Sequence, residues 1–298
     1  MGAIILDGKK TAAEMREEMK AEVARLKAEH NVVPGLGVIL VGDNPASISY
    51  VTAKQKAAEE MGIYSEEHRR PGDLPEADLL KLVDQLNNDP KIHGILVQLP
   101  LPKHIVESKV LNAIDPDKDV DGFHPVNVGK LMIGEPGFLP CTPHGIQQLL
   151  IRNGFDPSGK HVVVVGRSNI VGKPIANILL QKKPGANATV TVCHTGTKDI
   201  GYFTRQADIL IVAAGHPNAV TADMVKEGVV VVDVGVNRIE DPTREKGFRL
   251  VGDVDFDGIK EKAAAITPVP GGVGPMTITM LMFNTILSAK RHAGLAEN

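Results

Sequence analysis

Tyr50 and Lys54 are the residues of the first half with most chemical potential. They stand four apart in a stretch of helical pattern, so they share a face while Lys56 points elsewhere. A lysine beside a phenol and partly withdrawn from water can give up its proton near neutral pH and act as a base. By spacing alone, however, Lys54 reads as a solvated helix lysine, the commoner state of any Lys. Gln98 closes a short apolar run just before Leu99-Pro-Leu-Pro102. An amide at the C-terminal end of a strand can orient a lysine or a substrate carbonyl, and it can equally do no more than satisfy backbone groups.

In the second half, the β-branched run His161–Val165 leads into Gly166, Arg167, Ser168 and Gly172, in the order strand, glycine turn, helix start. Glycine lets backbone amides approach a phosphate, and a helix N-terminus favours its negative charge. The turn is not a Walker loop, because five residues separate the two glycines and Pro174 stands where Ser or Thr would hold magnesium. Ser168 also takes the place of the middle glycine in the usual dinucleotide fingerprint, so a plain strand-to-helix turn carries equal weight. The next strand ends in Cys193, His194 and Thr195, with no carboxylate to hold a ribose 2′-hydroxyl. Arg167 is suited to a 2′-phosphate, and together these features favour NADP. The plain alternative for Arg167 is a solvated surface charge.

Asp117, Asp119 and Asp121 match the opening of a calcium loop, but the twelfth position is Val128 where a bidentate Glu is required. The histidines and the two cysteines show no metal-ligand spacing, so no metal site is expected.

The elements that must position these residues follow an α/β pattern in a chain of 298 residues, long enough for two domains. A net charge of −3, the absence of Trp and an aromatic content of 3% argue against a nucleic-acid surface. No stretch has the form of a signal peptide or a membrane span, and two cysteines fit a reducing compartment, so a cytoplasmic protein is expected. Cys141 and Cys193 read as small buried apolar residues. Helices are expected at 11–28, 45–62 and 75–88, with buried strands at 35–41 and 94–98. A Gly- and Pro-rich passage then runs to Pro143, followed by a connecting helix at 145–153. Val- and Ile-rich runs at 161–165, 188–193, 208–213 and 229–234 suit a parallel sheet covered on both faces, the last interrupted by Asp233. Further helices are expected at 173–181 and 276–293.

Six segments stand in order along the chain: Tyr50-Val-Thr-Ala-Lys54-Gln-Lys56, the run from Gly94 to Pro102, Asp119-Val-Asp121-Gly122-Phe, Pro140-Cys-Thr-Pro143, the turn from Gly166 to Gly172, and Pro270-Gly-Gly-Val-Gly-Pro-Met-Thr277. Taken together they resemble the bifunctional methylenetetrahydrofolate dehydrogenase/cyclohydrolase family. The resemblance spans essentially the whole chain. It implies a folate-side catalytic domain at 1–142, completed by a C-terminal helix within 269–298, and a Rossmann-like NADP-binding domain at 143–268, with the active cleft between them. It implies NADP-dependent oxidation of 5,10-methylenetetrahydrofolate to the methenyl form, hydrolysis of that product to 10-formyltetrahydrofolate, and a homodimer through the nucleotide domain.

Residue by residue, the resemblance makes Lys54 the catalytic lysine, Tyr50 its aromatic partner over the folate, and Gln98 the residue that orients the lysine. It makes Asp121 the carboxylate that holds the pterin ring. Substrate contacts are implied for Val51, Thr52, Ala53, Val97, Leu99, Pro270, Gly271, Gly272, Val273 and Gly274. Cofactor contacts are implied for Gly166, Arg167, Ser168, Thr195 and the backbone of Val236. Thr195 stands where many members have Ser, and the segment 181–187 is long for the family. A monofunctional dehydrogenase, a non-catalytic NADP-binding module and a dehydrogenase of a shikimate-like substrate are the competing readings.

Overall fold

The computed structural model describes residues 2–244 and 247–296. In chain order its first elements are β1 (Ile4–Ile5), α1 (Gly8–His30), β2 (Gly35–Val41), α2 (Pro45–Glu60), β3 (Tyr64–Arg70), α3 (Glu76–Asn88), β4 (Gly94–Val97), α4 (Glu107–Ala113), α5 (Pro125–Ile133) and α6 (Cys141–Arg152). Then come β5 (His161–Val165), α7 (Gly172–Leu180), β6 (Thr189–Cys193), α8 (Ile200–Thr204), β7 (Ile209–Val212), β8 (Val230–Asp233), β9 (Asn237–Glu240), β10 (Phe248–Val251), α9 (Phe256–Lys260), β11 (Ala265–Ile266) and α10 (Val273–His292). The chain forms two compact units, one of Ala13–Cys141 with Ile278–Asn298, the other of Met1–Ala12 with Thr142–Thr277.

The unit that begins at Ala13 holds a three-stranded parallel sheet in the order β3-β2-β4. Every residue of β2 is buried, as a central strand covered on both faces must be. Leu79, Leu82, Val83 and Leu86 recur along α3 at helical spacing and pack with Ile39, Val41 and Ile95 of the sheet. The start of α2 is set by Asn44, whose side chain accepts from the Ala46 and Ser47 N–H groups at 2.9 and 3.3 Å, with Pro45 in the first helical turn.

The C-terminal helix packs on this unit, as expected. Arg16 of α1 donates to Thr279 at 3.0 Å, Lys290 pairs with Glu22 at 3.1 Å, and the Ser288 hydroxyl donates to the His93 and Asp117 carbonyls at 2.6 and 2.8 Å. Two features differ from expectation. Tyr64–Arg70, rich in charge, is a full edge strand because all seven of its residues pair with β2. The Gly- and Pro-rich passage contains α5, capped at its start by His124 and ended by Gly134 in the left-handed conformation, and α6 begins at Cys141.

The other unit carries a six-stranded parallel sheet in the order β1-β11-β8-β7-β5-β6, with the antiparallel pair β9–β10 beside it. Val163, Val165, Leu210, Val212 and Val231 anchor its core. Among the described residues no helix is long and apolar enough to cross a membrane.

Candidate active site

In the first unit, α2 presents Tyr50 and Lys54 on one face, but to different surroundings. Tyr50 is 47% exposed, whereas Lys54 is only 8% exposed. The Lys54 ammonium donates to Gln98 Oε1 at 3.0 Å. Gln98 lies just past the end of β4. Its backbone N–H donates to the Ile39 carbonyl of β2 at 2.9 Å, and its side-chain amide donates to the Leu99 carbonyl at 2.7 Å. The Gln98 backbone is thus tied to the sheet and its amide nitrogen to the next residue, which leaves its side-chain oxygen facing the lysine.

Asp121 is the nearby counter-charge. Burial raises its carboxyl to about 6, and Asp119 adds to the rise, while the Lys54 charge and a hydrogen bond from the Cys141 thiol oppose it. Asp119 is raised by burial to about 6 as well, and organises the following turn by accepting from the Phe123 and His124 N–H groups and the Asn127 amide at 3.2, 2.8 and 2.8 Å. These bonds occupy the Asp119 carboxylate in shaping the loop that carries Asp121.

Two residues outside the site candidates drawn from the sequence complete this arrangement. The Cys141 sulfur sits 3.3 Å from the Val120 carbonyl, and burial with the neighbouring Asp121 pushes its thiol well above the ordinary value. Asn284, fully buried on α10, donates to the Val120 and Leu139 carbonyls at 2.8 and 2.9 Å. Its signal in the sequence is a lone amide inside an apolar helix. Of the other folate-side candidates, Val51 and Val97 are buried, Ala53 is exposed, and the exposed Thr52 directs its hydroxyl to the Ile48 carbonyl of its own helix. Leu99 is half-buried.

The second unit holds the glycine turn. Gly166 has φ +127°, and a Cβ there would meet the Ala213 carbonyl oxygen at 2.2 Å; one at Gly172 would meet the Gly166 oxygen at 2.2 Å. Ser168, in place of a middle glycine, accepts from the Val171 and Gly172 N–H groups at 3.1 and 3.3 Å and so holds the turn that enters α7. Arg167, Thr195 and Val236 are all exposed. The segment from Pro270 to Gly274 belongs to this unit, where Gly271 accepts from the Lys9 N–H at 3.2 Å.

A parallel doubly wound sheet with this turn at the end of β5 defines a dinucleotide-binding α/β enzyme, here joined in one chain to a unit with a buried lysine. Residues 6–121 match the model of the tetrahydrofolate dehydrogenase/cyclohydrolase catalytic domain, and residues 140–293 match that of the same family's NAD(P)-binding domain. The bifunctional protein FolD of Syntrophus aciditrophicus is 67% identical over 99% of this chain and 100% of its own. The crystal structure of the bifunctional FolD enzyme from Campylobacter jejuni is 52% identical, with a TM-score of 0.91 over 97% of this chain and 99% of that one. The Trypanosoma brucei methylenetetrahydrofolate dehydrogenase-cyclohydrolase, solved with NADP cofactor and an inhibitor, is 41% identical with a TM-score of 0.92, covering 98% of this chain and 99% of that one. The chain belongs to the tetrahydrofolate dehydrogenase/cyclohydrolase family.

Proposed function

We propose that this chain oxidises 5,10-methylenetetrahydrofolate to 5,10-methenyltetrahydrofolate with NADP and then hydrolyses the methenyl carbon to give 10-formyltetrahydrofolate. The hydrogen bond from Lys54 to Gln98 carries the hydrolytic half of this reading, because it holds a buried amine at a fixed orientation.

The donor set of the glycine turn fits a 2′-phosphorylated dinucleotide. An exposed guanidinium on Arg167 and a hydroxyl on Thr195 stand where a carboxylate would repel the extra phosphate. Arg167, Ser168 and Thr195 would hold the phosphates, with the Gly166 and Val236 backbones alongside. When bound, NADP supplies the hydride acceptor. The chain's own task in that step is alignment, because the cation left on the methylene carbon is stabilised by the adjoining folate nitrogens.

Hydrolysis asks more of the side chains. Water adds to the methenyl carbon and must lose a proton, and the ring nitrogen that leaves must gain one. Lys54 exchanges that proton between the water and the leaving nitrogen, Gln98 fixes its orientation, and Tyr50 lies over the folate. Asp121 holds the pterin ring. Val51, Thr52, Ala53, Val97, Leu99 and the segment from Pro270 to Gly274 are assigned to substrate contact on their match to the family's motifs.

A homodimer through the nucleotide-binding unit and a cytoplasmic location complete the reading. Family resemblance supports the first, and two unpaired, buried cysteines are in keeping with the second. Sedimentation that finds only monomer overturns the dimer. A paired assay tests the chemistry, following reduced cofactor from methylenetetrahydrofolate and NADP and, separately, hydrolysis of supplied methenyltetrahydrofolate. Both reactions are expected. Oxidation alone would make this a monofunctional dehydrogenase, and neither would leave a binding module.

A further inference from the structure

Two carboxylates are buried in the nucleotide-binding unit, one at the C-terminal end of a central strand of the six-stranded sheet and the other just past the β9–β10 pair. Asp233 is the last residue of β8, and Asp253 follows β10. Both are essentially inaccessible to water. Asp233 accepts from the N–H groups of Gly235, Asp253 and Val254 at 2.9, 2.8 and 3.0 Å. Asp253 accepts from the N–H groups of Ala214 and Gly215 at 2.7 and 2.8 Å and from the Asn237 amide at 2.8 Å. Withdrawing a carboxylate from water is costly, and multiple N–H donors to each are what make it tolerable.

Glycine identity follows from the same contacts. A Cβ on Gly235 would fall 2.1 Å from an Asp253 carboxylate oxygen, and one on Gly252 would fall 1.8 Å from an Asp233 oxygen. Each glycine makes room for the carboxylate beside the other. The pair thus ties together three backbone segments: 213–215 after β7, 233–237 after β8, and 252–254 after β10. The first of these abuts the glycine turn, since a Cβ on Gly166 would touch the Ala213 carbonyl oxygen. The second carries Val236.

We propose that Asp233 and Asp253 are positioning residues for the dehydrogenase step, fixing the backbone at 214–215 beside the glycine turn and at 235–236, where the family resemblance assigns the Val236 backbone to the nicotinamide side of NADP. The inference rests on the functional reading above. Strand ends of a parallel sheet are where such ligands bind, and hydride transfer is the step most sensitive to a small displacement. A carboxylate accepts on both of its oxygens and carries no donor, so it suits three convergent N–H groups, whereas an amide in the same place turns a donor toward one of them.

The test is Asp253→Asn, measured on the full chain beside wild type. The turnover of NADP-dependent oxidation is expected to fall on the order of 10- to 100-fold, with hydrolysis of supplied methenyltetrahydrofolate within about twofold of wild type. Amide hydrogen exchange of the cofactor-free protein should show lost protection at 214–215. If oxidation and hydrolysis fall together, or neither falls, the pair has only a structural role and the proposal is overturned. Asn237→Ala removes one donor and leaves both carboxylates; it should shift the same two readouts in the same directions by less, and it decides the matter by the same criteria if Asp253→Asn does not fold. Wild-type protein that performs neither reaction overturns the functional reading itself, an outcome distinct from an active wild type with an unaffected variant.

Discussion

Lys54 and Gln98, 44 positions apart, meet through a 3.0 Å hydrogen bond in which the lysine donates and the amide oxygen accepts. Because the Gln98 nitrogen is engaged by the Leu99 carbonyl, the amide has one orientation available, and the lysine inherits it. Lys54→Ala is therefore expected to abolish hydrolysis of methenyltetrahydrofolate while leaving NADP affinity close to wild type. Equal loss of hydrolysis and of cofactor binding would remove Lys54 from the hydrolytic step.

Gln98→Leu leaves the buried ammonium without its acceptor. The expected loss of stability is about 1–3 kcal/mol, the ordinary cost of an orphaned buried polar group. Hydrolysis should slow by about 10- to 100-fold through misorientation, at nearly unchanged KM. Chemical denaturation together with steady-state kinetics reads both; a change confined to KM would make Gln98 a substrate contact instead.

Asp121 predicts a trade between stability and function. Its folded-state carboxyl is near 6 against an ordinary 3.8, chiefly through burial. Between those values the folded chain keeps a proton that the unfolded chain has released, so stability declines as pH rises through that window and the full cost persists above it. Asp121→Asn should accordingly raise Tm at pH 8, lose that advantage near pH 4, and weaken folate binding at both. Calorimetry at the two pH values checks the sign. A lower Tm for the variant at pH 8 would mean that the Lys54 attraction outweighs burial.

Arg167→Ala is expected to weaken NADP binding by about 10- to 100-fold, the scale of one or two charge-assisted hydrogen bonds, and to leave NAD binding unchanged. Titration calorimetry with both dinucleotides distinguishes this from general damage to the turn, which would weaken both.

Parts of this molecule were legible in the sequence for definite reasons. The strands β2, β4 and β5 are buried apolar runs, and α2 opens on an Asn-Pro start signal, so each announces itself locally. The glycine turn is equally local. Lys54 is different, since spacing alone describes a solvated lysine and only the family's motif assigns it chemistry. Its burial depends on Gln98 and Asp121, which arrive from β4 and the loop ahead of α5. Asp233 showed only as an interruption in an apolar run, because the donors that surround it come from residues on either side of the β9–β10 hairpin. The helix α5 was hidden by its glycine and proline content, which in fact supplies its first turn and its C-terminal stop.

β3 shows tertiary pairing overriding composition, and it also bears on how the protein behaves in a crowded solution. Tyr64–Arg70 is an outer strand of the three-stranded sheet, and among the described residues one side of its backbone has no strand partner. Edges of that kind recruit further strands and seed aggregates unless something discourages it. Here Glu66, Glu67, His68, Arg69 and Arg70 line the edge, with His68 and Tyr64 both bound to Glu66 at 2.7 Å and Arg69 paired with Glu67. A second molecule attempting to dock there would have to strip water from those charges. The residues that make this segment a poor strand by composition are the same ones that keep it from becoming a template.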